Sequence, residues 1–390
     1  MKRKINLPYL RPMQMKDIIG QANVKKHLIE MVRLSRLSHA LFFLGKEGTG
    51  ALPLAMAFAQ YILCEQKTEG DACGQCAACK KAATLSHPDI HFSFPVITKK
   101  TGEKPKSSDF MPEWREFVGQ YPYGNVYDWL QAINAENKQG NISAEECNDI
   151  FRKLALKSYE GEYKILILWM PEYLGKEGNK LLKLIEEPPE KTLFIFVGET
   201  EEKILGTILS RTQLVKIPAL DSLEIASALE TRAGLSADKA LQLATLAEGN
   251  YRSALQIYQN NAEDWQSYLR EWLNAILKGG NIVLGKWIDE MSKLGRENQK
   301  QFLHYFNHLL GQSVRLRVLG PDHLAISAED RDFALRLNKI SSVSQQEMIV
   351  EELDKAAYYI ERNANPKMLF HALSIKLKYI IQQKTLILTN

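Results

Sequence analysis

The chain has 390 residues, 45% of them hydrophobic and 25% charged, with a formal net charge of +4, a length that predicts two or three domains. No apolar run reaches the roughly 18 residues of a transmembrane helix, and the basic segment MKRKINLPYLRPM at the N-terminus lacks the apolar stretch of a signal peptide, so the reading is a cytoplasmic protein without a membrane partner. A charge of +4 is too small to argue nucleic-acid binding by itself, although it leaves room for a local basic patch.

The first 217 residues alternate helical periodicity with short apolar runs. A helical pattern over 23–37 precedes LFFL at 41–44, and another over 53–64 follows it. Further along come a helix over 144–156, ILIL at 165–168, a helix over 179–186 and LFIFV at 193–197. Runs of that length, unbroken by polar residues, suit strands buried on both faces of a parallel sheet, with the helices as crossovers. Residues 1–217 are therefore predicted to form an α/β domain of P-loop type with a parallel sheet. Inside it, 95–140 is irregular. The Lys-rich piece KKTGEKPK (99–106) reads as an exposed loop. The aromatics Trp114, Tyr121, Tyr123, Tyr127 and Trp129 predict that the second half packs on something. Strand signals stop after Pro218. Helical patterns over 223–234, 236–248 and 252–259 predict a small helical domain at 218–262. Longer patterns predict an all-α domain at 263–390, where Trp265, Leu269, Trp272, Leu273 and Ile276 fall on one apolar stripe, read mainly as core.

The segment after LFFL reads Gly45-Lys46-Glu47-Gly48-Thr49-Gly50-Ala51-Leu52. A phosphate-binding loop is G-x-x-x-x-G-K-[ST]; its lysine reaches the β- and γ-phosphates and its hydroxyl holds Mg²⁺. Gly45 and Gly50 are in place, but Ala51 stands for the lysine and Leu52 for the hydroxyl. Lys46 comes too early in the loop to substitute. Taken alone, the loop also reads as a chance Gly-rich turn. A second position decides. The ILIL strand should end in acids that position Mg²⁺ and water, yet Trp169 and Met170 stand there, with Glu172 two residues further on and beyond the strand's expected end. Two catalytic elements missing together predict a P-loop fold that neither binds nor cleaves ATP.

Cys64, Cys73, Cys76 and Cys79 give C-x8-C-x2-C-x2-C. In a reducing compartment such clustering favours metal over disulfides, and four thiolates make a closed, structural Zn²⁺ site. Gly70, Ala72 and Gly74 allow the tight turns. An Fe–S cluster is the other reading that this ligand type permits. His87 and His91 lie nearby and read as ordinary loop and strand histidines, because four thiolates already complete the site. Cys147 stands alone and reads as structural. Arg211, in Ser210-Arg211-Thr212, follows a strand and a helical turn over 203–209. On spacing alone it reads as a surface or salt-bridged arginine.

Several segments, in order, resemble the clamp-loader branch of the AAA+ ATPases, and within it the delta-prime family of the bacterial DNA polymerase III clamp loader. IIGQ (18–21) is similar to the family's VVGQ, RLSHA (36–40) precedes the degenerate loop, and NKLLKLIEEPP (179–189) is close to NALLKTLEEPP. TILSR (207–211) matches TILSRC up to Thr212, GNYRSAL (249–255) resembles GSMRDAL, and NPKML (365–369) resembles part of the last helix. The match covers 14–260 well and the C-terminal domain faintly; 95–140 is longer than the family pattern. The resemblance implies that 218–262 is a lid and that 263–390 is a collar, one of whose helices buries its apolar face on another chain. It implies that the cysteines are a zinc module. It also makes Arg211, beside Ser210, an arginine finger offered in trans to a neighbour's ATP, a role for which a planar guanidinium is suited. Arg252 matches a phosphate-sensing lid arginine and, with no nucleotide expected, reads as a helix-surface residue. The implied function is a non-hydrolysing accessory subunit of the polymerase that helps load the sliding clamp. Its implied partners are gamma/tau and delta subunits, the clamp and primer–template DNA. One alternative is an ATP-hydrolysing gamma/tau-type subunit whose altered loop relies on Lys46. Another is a stand-alone zinc-dependent nucleic-acid-binding protein.

Overall fold

The structure is a computed structural model that describes residues 14–98, 104–135, 138–259, 265–320, 328–362 and 364–382. The chain divides into two compact units, Met1–Gln256 and Ile257–Asn390.

In the first unit, strands β1 (Ala40–Gly45), β2 (Ile90–Ser93), β3 (Lys164–Trp169), β4 (Thr192–Gly198) and β5 (Gln213–Ile217) form a parallel sheet in the order β2-β3-β4-β1-β5. Ala40 pairs with Phe194, Leu41 with Gln213, Ile90 with Ile165 and Lys164 with Thr192. The helices of this unit are α1 (Ala22–Arg33), α2 (Ala51–Leu63), α3 (Ala77–Ala83), α4 (Met111–Gln120), α5 (Val126–Ala132), α6 (Ala144–Ala155), α7 (Leu182–Glu186), α8 (Gly206–Leu209), α9 (Ser222–Ala233), α10 (Ala237–Leu246) and α11 (Tyr251–Gln259). Strand pleating divides the apolar runs between two cores. Leu41, Phe43, Ile165, Ile167, Leu193 and Ile195 pack with α2, every residue of which is buried. Phe42, Leu166, Leu168, Phe194 and Phe196 face the other way, toward α6 and α7.

The three apolar runs are strands, each one residue longer at both ends than the run itself. The structure corrects other expectations. The helix expected over 23–37 ends at Arg33, and Ser35 takes a left-handed backbone with φ of 52°. The helix expected over 179–186 is a 3₁₀ turn, Gly175–Leu181, followed by the short α7. Gly175 and Gly178 are poor helix formers, and Pro188-Pro189 close the segment. The described part of 95–140, expected to be irregular, contains two α-helices. Among its described residues, α4 has a proline in its first turn, and α5 is capped reciprocally by Asn125 and Asp128. Residues 99–103 of the Lys-rich piece lie outside the described residues. Trp114 stacks on Phe94 at 4.1 Å and meets Trp129 edge-on at 5.2 Å. The Trp129 indole N–H donates to the Pro95 carbonyl at 2.7 Å. The expected packing of the second half is therefore present, although Tyr121 stays exposed.

The second unit is helical: α12 (Trp265–Asn274), running into a π-helical turn Ala275–Gly279, then α13 (Gly280–Lys293), α14 (Arg296–Leu319), α15 (Ala328–Ile340), α16 (Val343–Glu361) and α17 (Pro366–Gln382). The stripe Trp265, Leu269, Trp272, Leu273 and Ile276 is buried in its core. Trp272 stacks on Trp287 at 5.0 Å and donates its N–H to Ser374 Oγ at 2.9 Å. Among the described residues, no helix is long and apolar enough to cross a membrane.

Candidate functional site

β1 ends at Gly45 and α2 begins at Ala51, so the glycine-rich loop lies at the carboxyl end of a parallel sheet, the edge at which such folds bind ligands. Trp169 and Met170 from the end of β3, and Val197, Gly198 and Glu199 from the end of β4, border the same cavity. Ala51 and Leu52 are buried at the start of α2 and carry neither charge nor hydroxyl. The Thr49 hydroxyl turns back to donate to the Lys46 carbonyl at 2.7 Å. Gly50 has φ of 88°, and a Cβ there would lie 2.7 Å from Tyr123 Cε1. Tyr123, just before α5, is pinned above the loop: its hydroxyl accepts the Ile19 N–H at 2.9 Å, and its ring meets Tyr251 edge-on at 5.1 Å. The cavity that remains is ≈ 30 Å³. That is room for about two water molecules, against the roughly 300 Å³ or more of a ligand pocket.

Trp169 completes the aromatic cluster, 5.2 Å from Trp114. Met170 takes a left-handed backbone with φ of 59°, and its N–H donates to the Val197 carbonyl at 2.7 Å. Glu172 lies beyond the strand, in a 3₁₀ turn. Its Oε1 accepts the N–H groups of Glu199 (2.6 Å) and Thr200 (2.9 Å), and burial raises its pKa.

Arg252 is not a helix-surface residue; its side chain is 5% exposed. Its guanidinium forks onto Asp128, with Nε to Oδ2 and Nη2 to Oδ1 at 2.7 Å, and Nη1 reaches Glu47 Oε1 at 2.8 Å. Glu47 also accepts from Asn125 Nδ2 (2.7 Å) and Asn250 Nδ2 (3.2 Å). The partners lie 124 and 205 residues away in sequence, so the helical periodicity around Arg252 carries no sign of them. Tyr123, Asn125, Asp128, Glu47 and Asn250 were not legible as site residues. The nearest signal was the N-x-x-D capping pattern at 125–128.

The four clustered cysteines do come together: their sulfurs all lie within 4.8 Å of one another, with Cys73 and Cys79 at 3.9 Å. Tetrahedral Zn–S bonds of about 2.3 Å would set S···S near 3.8 Å, so the donors fit a structural zinc. Cys64 caps the end of α2 and Cys76 the start of α3. Backbone N–H groups already point at the sulfurs: Cys73 N at Cys64 (3.2 Å), Cys76 N at Cys73 (3.3 Å) and Cys79 N at Cys76 (3.4 Å). The N–H donors of Cys76 and Gln75 bring the Cys73 thiol down to about 6, whereas burial pushes Cys64 and Cys79 up. Between Cys64 and Cys73, Asp71 accepts the N–H groups of Met15 (2.8 Å) and Lys16 (3.0 Å). His87 and His91 fall outside the cluster. His87 Nδ1 accepts the Asp89 N–H at 3.1 Å, and burial brings His91 down to about 4. Cys147 is buried, which pushes its thiol up to about 12.

Ser210 and Arg211 sit between α8 and the edge strand β5. The Arg211 side chain is 34% exposed and pairs with Glu186 of α7, its Nε donating to Oε1 at 2.7 Å. Nη1 donates to the Thr207 carbonyl at 2.8 Å and to Ser210 Oγ at 3.2 Å. The guanidinium is thus oriented by Glu186 while one side stays open to solvent.

The profile of the family described as "DNA polymerase III, delta subunit" matches residues 20–221, just over half of the chain. Over 314 residues the chain is 27% identical to DNA polymerase III subunit tau of Bacillus subtilis (strain 168), covering 77% of this chain and 47% of that protein. It is 28% identical over 202 residues to subunit delta' of the same organism (51% and 48%), and 23% identical over 291 residues to subunit delta' of Escherichia coli (strain K12) (74% and 73%). The chain spans about half the length of the two Bacillus relatives.

Proposed function

The chain belongs to the DNA polymerase III, delta subunit family, and from that premise we propose that it is a non-hydrolysing clamp-loader subunit of the delta-prime kind. In this reading 1–217 is the AAA+ domain, 218–262 the lid and 263–390 the collar. The observation that carries it is the set Ala51, Leu52, Trp169 and Met170 around the loop at the sheet's carboxyl edge. Phosphoryl transfer needs a lysine, a hydroxyl for Mg²⁺ and acids at those places. The chain acts on a neighbour instead. Arg211, oriented by Glu186 and Ser210, is lent to the γ-phosphate of the next subunit's ATP. The zinc held by Cys64, Cys73, Cys76 and Cys79 supplies structure only. Gamma/tau and delta subunits are the partners in the ring, and the ring brings the sliding clamp to primer–template DNA.

The rival is a gamma/tau-type ATPase, favoured by the alignment with subunit tau over 77% of the chain. Identities of 27% and 28% do not separate the two kinds; the loop residues argue for delta-prime. The test pairs two measurements on the full chain. Gel filtration with the same organism's tau and delta homologues is expected to give one complex, and calorimetric titration with Mg-ATP no binding. Micromolar ATP affinity would transfer the chain to the rival class, and failure to enter the complex would remove it from both.

A further inference from the structure

We propose that residues 104–135 are a built-in occupant of the glycine-rich loop, which keep nucleotide out by filling its place and hold α11 closed over the loop without any ligand. This deepens the reading above, which rests only on missing catalytic side chains.

Three observations carry it. First, Tyr123 lies on Gly50 where a Cβ would find 2.7 Å. It is fixed from above by the Ile19 N–H and from the side by Tyr251, and the space left is ≈ 30 Å³. A triphosphate does not fit beside that ring. Second, the buried arginine beside the loop is already engaged, which leaves the exposed Lys46 as the cation in the cavity lining. Arg252 presents a planar fork that suits a carboxylate or a phosphate equally, and Asp128 occupies the fork at both nitrogens. Glu47, in the loop itself, takes the third nitrogen. An entering phosphate would meet two carboxylates where it needs a counter-charge. Third, the network ties three segments together. Asn125 of the inserted stretch and Asn250 at the start of α11 both donate to Glu47. The Tyr251 N–H donates to the Gly48 carbonyl at 3.2 Å, so the loop, the insertion and α11 close as one piece. Asp128 thereby does for Arg252 what an anionic ligand would do.

Occupancy and missing chemistry make different predictions. If only the lysine and hydroxyl are lacking, supplying them restores binding; if Tyr123 and Asp128 fill the site, supplying them does nothing. The probe is Mg-ATP, titrated calorimetrically into the full chain as wild type, as Ala51→Lys/Leu52→Thr, and as that pair combined with Tyr123→Ala and Asp128→Ala. The wild type and the pair are expected to show no binding up to millimolar ATP, and the fourfold variant to bind at least about tenfold tighter than the pair. The proposal is overturned if the pair binds as well as the fourfold variant. It is equally overturned if the fourfold variant, folded by circular dichroism, binds no better than the pair. Binding by the wild type would overturn this proposal and the proposed function together, whereas a pair that binds as well as the fourfold variant strikes this proposal alone, so the two failures are distinct. Should the fourfold variant not fold, hydrogen exchange on Asp128→Asn takes its place. The α11 and loop amides are expected to exchange at least about tenfold faster, with the central strands β3 and β4 unchanged. Unchanged α11 amides would overturn the proposal.

Discussion

Replacing Arg252 by alanine strands two carboxylates. Arg252 is 5% exposed, and its partners Glu47 and Asp128 keep only 24% and 16% of their side-chain exposure. Breaking a buried pair costs about 3–5 kcal/mol, because the remaining charge stays desolvated. The partial exposure of both carboxylates puts this site at the lower end, about 3 kcal/mol, or roughly a hundredfold in the folding equilibrium. Neutralising the whole cluster (Glu47→Gln, Asp128→Asn, Arg252→Met) leaves no charge unpaired and is expected to recover most of that loss. Urea denaturation of the full chain, with the transition of each unit fitted separately, measures both. A cost below about 1 kcal/mol for Arg252→Ala would mean that the ion pairs behave like exposed ones. A triple variant as unstable as the single one would mean that the loss is packing and not stranded charge. Either result refutes the electrostatic account of the closed loop.

Arg211→Ala should invert that pattern. Its pair with Glu186 is exposed, so stability should move by no more than about 1 kcal/mol, while DNA-stimulated ATPase of the reconstituted complex falls. The fall should be smaller than the roughly 10³–10⁵ of a single-site arginine finger, because several ATP sites share the ring; equal rates at equal assembly would show a structural arginine. Metal analysis of protein purified without added metal should give about one zinc per chain, and Cys76→Ser should lose it. A ratio near zero, or the visible absorbance of an Fe–S cluster, would reject the zinc assignment. Glu146 is buried on α6 and accepts the Ser107 N–H at 2.8 Å, with burial raising its pKa above the ordinary 4.5. A raised carboxyl contributes stability that is present below the unfolded value and lost as pH rises through the folded one. The Glu146 contribution should therefore be lost as pH rises above about 4.5, so the stability of wild type relative to Glu146→Gln should fall with pH in urea titrations; a pH-independent difference would show that Glu146 titrates as it does in the unfolded chain.

Much of the architecture was legible because β1, β3 and β4 are buried on both faces, and their sequences are unbroken apolar runs. The two strands outside those runs sit at the sheet's edges: β2, touched only by the reading of a strand histidine, and β5, which was not anticipated. QLVKI of β5 is largely exposed, with only Val215 and Ile217 buried, so neither its composition nor its length reads as a core strand. The cysteine cluster was legible because its ligands are close in sequence and its chemistry is carried by residue type. Arg252 was misread because the groups that bury it come from the loop and from the insertion. Local periodicity reports the face a residue turns to its own helix's neighbours; it does not report a counter-ion that folding brings from 205 residues away. The insertion misled for a related reason. Its Lys-rich opening suggested a solvated loop, while Trp114 and Trp129, each fully buried, meet from two separate helices.

A Cβ at Gly48 would lie 1.8 Å from Asn250 Oδ1, as one at Gly50 would crowd Tyr123. These two glycines are thus demanded by the chain's own side chains, with no phosphate in the account. Selection on such a loop would keep its glycines just as strictly as selection on a working one, since an alanine at either position would pry the closed site apart. Glycine spacing is consequently the wrong diagnostic for sorting relatives of this chain into nucleotide users and non-users. The informative comparison is whether a relative that regains lysine and threonine after the second glycine also loses the tyrosine above it. In a lineage where both are found together, the ring would have to swing aside before anything could enter.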